Sequence, residues 1–173
     1  MHAHMLTATV FSIGCALAVG TPAMSADLPQ SGTIKVHSTF KGNSQILDVG
    51  DKHVLGSGNL WGVTYNDEGS GPLHMGAWFC TYTFQTVNSP APQEGACAFG
   101  DAGGADKILI TWSGSNTEED GDRGTGTIIG GIGKYAGVQG KMTYHCKQLD
   151  SAHELSTCTQ QFDYQLTSVA SNK

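Results

Sequence analysis

The side chains that could do chemistry are few and widely spaced. His74 follows the turn "NDEGSGP" and shares strand parity with Trp78, Cys80, Tyr82 and Phe84 in "LHMGAWFCTYTF". That position makes it a candidate general base or orienting hydrogen-bond donor, with Tyr82 and Tyr144 as the hydroxyls that could act beside it. The competing reading is a histidine at the rim of the fold, bonded to the Asn66–Gly71 loop. Glu118, Glu119, Asp120 and Asp122 gather in "NTEEDGDRG", but a calcium loop needs a different ligand spacing and a terminal bidentate glutamate. A solvated hairpin connection explains them better, and Asp67 and Glu68 read as turn residues. No pair of acids is brought to one cleft by the sequence, as glycoside hydrolysis requires. There is no G-x-S-x-G elbow, and beyond His2 and His4 at the start of the chain no H-x-H pair, so neither a serine hydrolase nor a metal site is expected, and no cofactor is implied.

The stretch "GGIGKYAGVQGKM", Gly130 to Met142, carries another kind of signal. Gly131, Gly133 and Ala136 satisfy a loose dinucleotide fingerprint, which has meaning only between a strand and a helix. "GTGTIIG" before it alternates as a strand, and "KMTYHCKQL" after it also reads as a strand. A strand where a helix is required removes nucleotide binding. The P-loop alternative fails because Ile128 and Tyr135 stand where glycine and Ser or Thr belong.

The elements that must position these residues are strands. Charged residues make up 14 % of the 173, and there are 24 glycines. Beyond residue 30 only short alternating runs occur, over Thr33–Phe40, Gln45–Val49, His53–Asn66, Leu73–Val87, Ala96–Gly100, Lys107–Ser113, Gly124–Gly130, Lys141–Leu149 and Leu155–Ser168. Eight or nine strands in one domain are enough to close a barrel or build a sandwich.

Residues 1–26 contain no Asp, Glu, Lys or Arg, and Met5 to Gly20 is apolar. They read as a signal peptide, although the positive n-region is represented only by His2 and His4. A retained anchor is the alternative, and the run is short for a span. The mature domain is then 27–173, with a floppy tail after 168, in a secreted or periplasmic setting. It carries the whole net charge of −6, which disfavours nucleic acid and anionic lipid as partners.

Removing the leader removes Cys15 and leaves Cys80, Cys97, Cys146 and Cys158. An even number in a small exported domain implies two disulfides, with three connectivities open. Register selects among them. Pairing Cys146 with Cys158 across antiparallel strands sets Lys141 against Asp163 and Met142 against Phe162, an ion pair and an apolar pair on opposite faces. Pairing Cys80 with Cys97 sets Trp78 against Phe99 and leaves "VNSPAPQEG" as the hairpin loop. Cys80–Cys97 and Cys146–Cys158 are therefore expected.

In this context "GGIGKYAGVQG" resembles the glycine-rich strand connection of the allene oxide cyclase and dirigent barrel superfamily, G-G-x-G-x-[FY]-x-G-x-x-G. Gly130, Gly131, Gly133, Tyr135, Gly137 and Gly140 meet its fixed positions. "GVTYNDEGSGPLH", the Cys80 strand and "CAFGDAGGADKILITWSG" are similar to exported bacterial proteins of unassigned activity. The resemblance implies an all-β, single antiparallel eight-stranded closed barrel with an apolar lumen, and a homo-oligomer. It also implies the function: binding or orienting a small apolar or aromatic molecule in that lumen. An isomerase or cyclase using the same lumen, and a structural protein with a filled core, are the other readings. Parity puts Trp61, Val63, Tyr65, Trp78, Tyr82, Phe84, Phe99, Ile108, Ile110, Trp112, Tyr144, Phe162 and Tyr164 on the inner wall. The rings among them are the candidate ligand contacts, unless they simply fill the interior, as in many small barrels.

Overall fold

A computed structural model describes residues 28–87, 92–117 and 121–167. The expected leader, the tail after 168 and parts of two hairpin loops lie outside these. Eight strands follow in chain order: β1 Ser31–Gly50, β2 His53–Asn66, β3 Gly76–Thr86, β4 Pro92–Gly100, β5 Lys107–Thr117, β6 Gly121–Ile132, β7 Val138–Asp150 and β8 Leu155–Leu166. Each pairs antiparallel with its neighbour, and β1 pairs with β8, so the sheet is a closed up-and-down barrel with no free edge. The Thr33–Phe40 and Gln45–Val49 runs are one long β1.

The register derived from the cysteines holds. Cys80 is bonded to Cys97 and Cys146 to Cys158. Trp78 opposes Phe99, Lys141 opposes Asp163 and Met142 opposes Phe162. All four cysteines are buried, with Val36, Phe99, Ile108, Ile110 and Phe162 in the same core.

Parity fails on β2. Trp61, Val63 and Tyr65 do not line the interior; they point outward, 42 %, 39 % and 38 % exposed. The inward residues of this strand are Gly56, Gly58, Leu60, Gly62, Thr64 and Asn66. The cause lies on β3, where Phe84, Tyr82 and Trp78 stand opposite Gly56, Gly58 and Gly62. The β3 rings lie across the β2 glycines, so a Cβ on Gly58 would sit 2.7 Å from the Tyr82 ring. Glycine is the inner residue here because a neighbour's ring already occupies the space.

One end of the barrel is plugged. Tyr135, in the 3₁₀ turn Gly133–Tyr135 between β6 and β7, is fully buried. Its hydroxyl donates to Asp101 Oδ1 at 2.8 Å. The same oxygen accepts Leu73 N at 2.7 Å, and Lys134 pairs with the other carboxylate oxygen of Asp101. Burial first, then the Asp101 and Asp106 carboxylates, hold the Tyr135 phenol far above the ordinary tyrosine range. Leu73 sits at φ 60°, a left-handed conformation costly for leucine. Asp101 and Thr64, whose hydroxyl donates to Leu73 O at 2.6 Å, hold it there. Residues 73–75 are therefore a turn, and β3 starts at Gly76, after the strand start expected at Leu73. Position 133 needs glycine on two grounds, its φ of 67° and Asp106, which lies where a side chain would go. The "GGIGKYAGVQG" segment is thus the device that turns β6 into β7 and drops a tyrosine into the barrel end.

Candidate functional site at the barrel mouth

Among the described residues nothing comparable covers the other end. There the inner wall is half-buried: Phe40, Leu60, Tyr82 and Tyr144 pack against the core from the mouth side. Phe84 stacks near Tyr82, ring centres 6.1 Å apart, and Trp112 meets Tyr144 edge-on at 5.6 Å. These rings rest over glycine on a neighbouring strand, Tyr82 over Gly58, Trp112 over Gly95 and Tyr144 over Gly124, and the Tyr144 hydroxyl reaches on to Gly114 of β5. Large rings opposite glycine keep the wall smooth and leave room between rings.

Below the mouth is a cavity of about 50 Å³, lined by Phe40, Leu60, Trp78, Trp112, Asp122, Tyr144 and Gln160 together with both disulfides. A broader recess of about 710 Å³ lies at the rim across β2 to β5. That recess mixes inner residues such as Gly56, Phe84 and Gly114 with the outward Leu55, Thr83 and Glu94. It is a rim depression and not the lumen itself.

Polar groups enter the mouth at two places. Tyr144 Oη donates to Asp122 Oδ1 at 3.2 Å. Burial raises the Asp122 carboxyl above its ordinary value, and the Tyr144 bond and nearby His145 only partly offset this. Burial, and then Asp122 itself, push the Tyr144 phenol well above the tyrosine range. Elsewhere on the rim Ser44 Oγ donates to Glu154 Oε1 at 3.2 Å. Tyr82 is raised by burial, lowered by its bond to Ser44 and raised again by Glu154. Deeper in, Gln160 Nε2 donates to Ser38 Oγ at 3.0 Å, while Gln160 Oε1 and the indole nitrogens of Trp78 and Trp112 have no partner.

The expected site residues separate into three groups. Tyr82, Phe84, Trp112 and Tyr144 belong to the mouth, and Trp78 reaches the cavity from below. Phe162 and Tyr164 are buried core, while Phe99, buried too, also lines the cavity, stacked on Trp78 and edge-on to Phe162. Trp61 and Tyr65 are outside. His74 is not on an inner face either: it lies in the turn before β3, edge-on to outward Tyr65 at 6.3 Å. Its ring Nδ1 is buried without a partner. The strand from Gly76 to Tyr82 separates it from the mouth by roughly 20 Å, so His74 does not meet Tyr82 or Tyr144. His37 is exposed on the outer face, stacked on Tyr65 and bonded to Asp67 at 2.9 Å. Asp122 and Gln160 belong to the site although sequence reasoning passed over them. Asp122 was hidden in an acidic run that reads as solvated loop, whereas its parity with Gly124 and Gly126 on β6 was the available signal.

No protein-family model matches the chain, and no curated protein matches it. Among solved structures it is similar to a pterocarpan synthase dirigent protein, with 11 % identity and a TM-score of 0.50. The match covers 87 % of this chain and all of that one. At this identity the likeness concerns the fold alone: the closed eight-stranded barrel of this chain is similar to the barrel of that dirigent protein.

Proposed function

We propose that this is an exported barrel that binds and orients a small aromatic or apolar molecule at its mouth, without hydrolytic chemistry. The observation that carries this reading is the contrast between the two ends. One is plugged by Tyr135 and its hydrogen bonds, while the other presents half-buried rings around a cavity. A volume of about 50 Å³ is far below the ~300 Å³ or more of a pocket that swallows a whole ligand. The molecule therefore inserts one end and leaves the rest among Tyr82, Phe84, Trp112 and Tyr144. The dirigent likeness supports an orienting role, in which an apolar wall holds one conformer and few polar groups are needed. Two disulfides and the apolar, uncharged residues 1–26 support export.

A thermal-shift panel of small aromatic compounds tests the reading. Compounds that raise Tm in the native sequence lose that effect in Leu60→Phe, which fills the cavity from β2, and keep it in Trp61→Ala on the outer face. A shift lost in Trp61→Ala and kept in Leu60→Phe would move binding to the outer surface. No shift with any compound would leave a structural protein with a filled core.

A further inference from the structure

We infer that the molecule taken at the mouth carries a positive charge, an ammonium head seated between Asp122, Gln160 and the rings of Trp112 and Tyr144. This rests on the mouth being a small-molecule site and names the class of molecule. Asp122 is a half-buried carboxyl group whose hydrogen bond from Tyr144 is long, at 3.2 Å. No lysine, arginine or histidine lines the cavity it borders, among the described residues. Such a carboxylate is normally paired with a cation, because removing charge from water unpaired is costly, and nearby His145 offsets that cost only in part.

A second acceptor faces the same need. Gln160 is 5 % exposed, its amide nitrogen is engaged by Ser38, and its Oε1 has no partner. Gln160 lines the same cavity. A charged N–H donor in this cavity suits both acceptors, whereas a neutral hydroxyl can serve Gln160 but leaves Asp122 with only the partial offset from nearby His145. The indole nitrogens of Trp78 and Trp112 lie against Gly62 and Gly95, at the wall of the barrel. Aromatic faces around the cavity add cation–π attraction, which strengthens as water is excluded. The size agrees, since about 50 Å³ holds only a few heavy atoms when a water needs ~10–15 Å³ on such a measure. The cavity fits a head group, and the body of the molecule stays in the mouth.

Isothermal titration calorimetry with benzylammonium and its neutral analogue benzyl alcohol tests this on the disulfide-bonded protein. The native sequence binds benzylammonium at least about tenfold tighter than benzyl alcohol. Asp122→Asn, which keeps the shape and removes the charge, erases that preference and changes benzyl alcohol binding less than about twofold. Tyr144→Phe removes the competing donor and keeps the carboxylate, so it retains the preference and guards against a folding defect in the first variant. Equal binding of the two compounds, or a preference that survives Asp122→Asn, overturns charge recognition. Binding of neutral aromatics alone overturns the inference and leaves the mouth as a site, whereas binding of no aromatic at all removes both.

Discussion

Burial raises the Asp122 carboxyl above its ordinary value, and the sign of that shift makes a stability statement. An acid whose folded-state pKa exceeds its unfolded value costs nothing while protonated in both states. The cost grows as pH rises past the unfolded value, about 3.9 for aspartate, and is complete above the folded one. Asp122→Asn should therefore raise the unfolding temperature of the free protein at neutral pH by roughly 2–4 °C. The gain should vanish in acid, below about pH 4; thermal unfolding followed across pH checks both halves, and a gain that does not depend on pH would contradict the assignment. At this scale the sequence was only partly legible. Strand parity put Trp61, Val63 and Tyr65 inside, and they are outside because the β3 rings fill the space over Gly56, Gly58 and Gly62. The hydrophobicity of β2 alone cannot reveal which neighbour's ring will lie across it. Asp122 was missed for a related reason: parity assigns a face, but an acidic run argues for solvent more loudly.

Strand pairing was much more legible, because a disulfide between adjacent strands fixes register for the whole hairpin. Cys146 and Cys158 predicted Lys141 opposite Asp163, and Thr33 and Gln161 complete that outer cluster by donating to Asp163 at 2.7 and 3.1 Å. These bonds, that from Thr33 foremost, hold the exposed Asp163 carboxyl below its ordinary value. The two disulfides join residues 17 and 12 positions apart. Each should stabilise by about 3 kcal/mol on the chain-entropy account. Replacing Cys146 and Cys158 together by serine should lower unfolding free energy by about that amount in urea, with the β3–β4 pair intact. A loss well under 1 kcal/mol would mean that the β7–β8 hairpin is already held in the unfolded chain. The Gly130–Gly140 segment announced a strand connection, yet its burial of Tyr135 was not legible. That contact depends on Asp101, Asp106 and Leu73, which come from two other connections.

Over the whole molecule, closure of eight strands removes every edge and gives the barrel two unlike ends. The plugged end gathers the connections between β2 and β3, β4 and β5, and β6 and β7, and contributes packing and rigidity. The mouth keeps its rings half-buried, with a carboxylate and an unpartnered amide oxygen beside them. The all-β class and two hairpin registers were available from alternation and the cysteines, and the closed barrel from the resemblance of the Gly130–Gly140 segment, whereas the contrast between the ends was not, because it depends on which loops fold inward. The chain has three tryptophans, and they report on this division directly. Trp112 and Trp78 line the cavity, and Trp61 stands on the outer wall. The most direct test is an NMR titration that follows the three indole N–H resonances as benzylammonium or another aromatic compound is added. Binding at the mouth shifts Trp112 most, then Trp78, and leaves Trp61 unmoved; a shift confined to Trp61, or none at any indole, contradicts it.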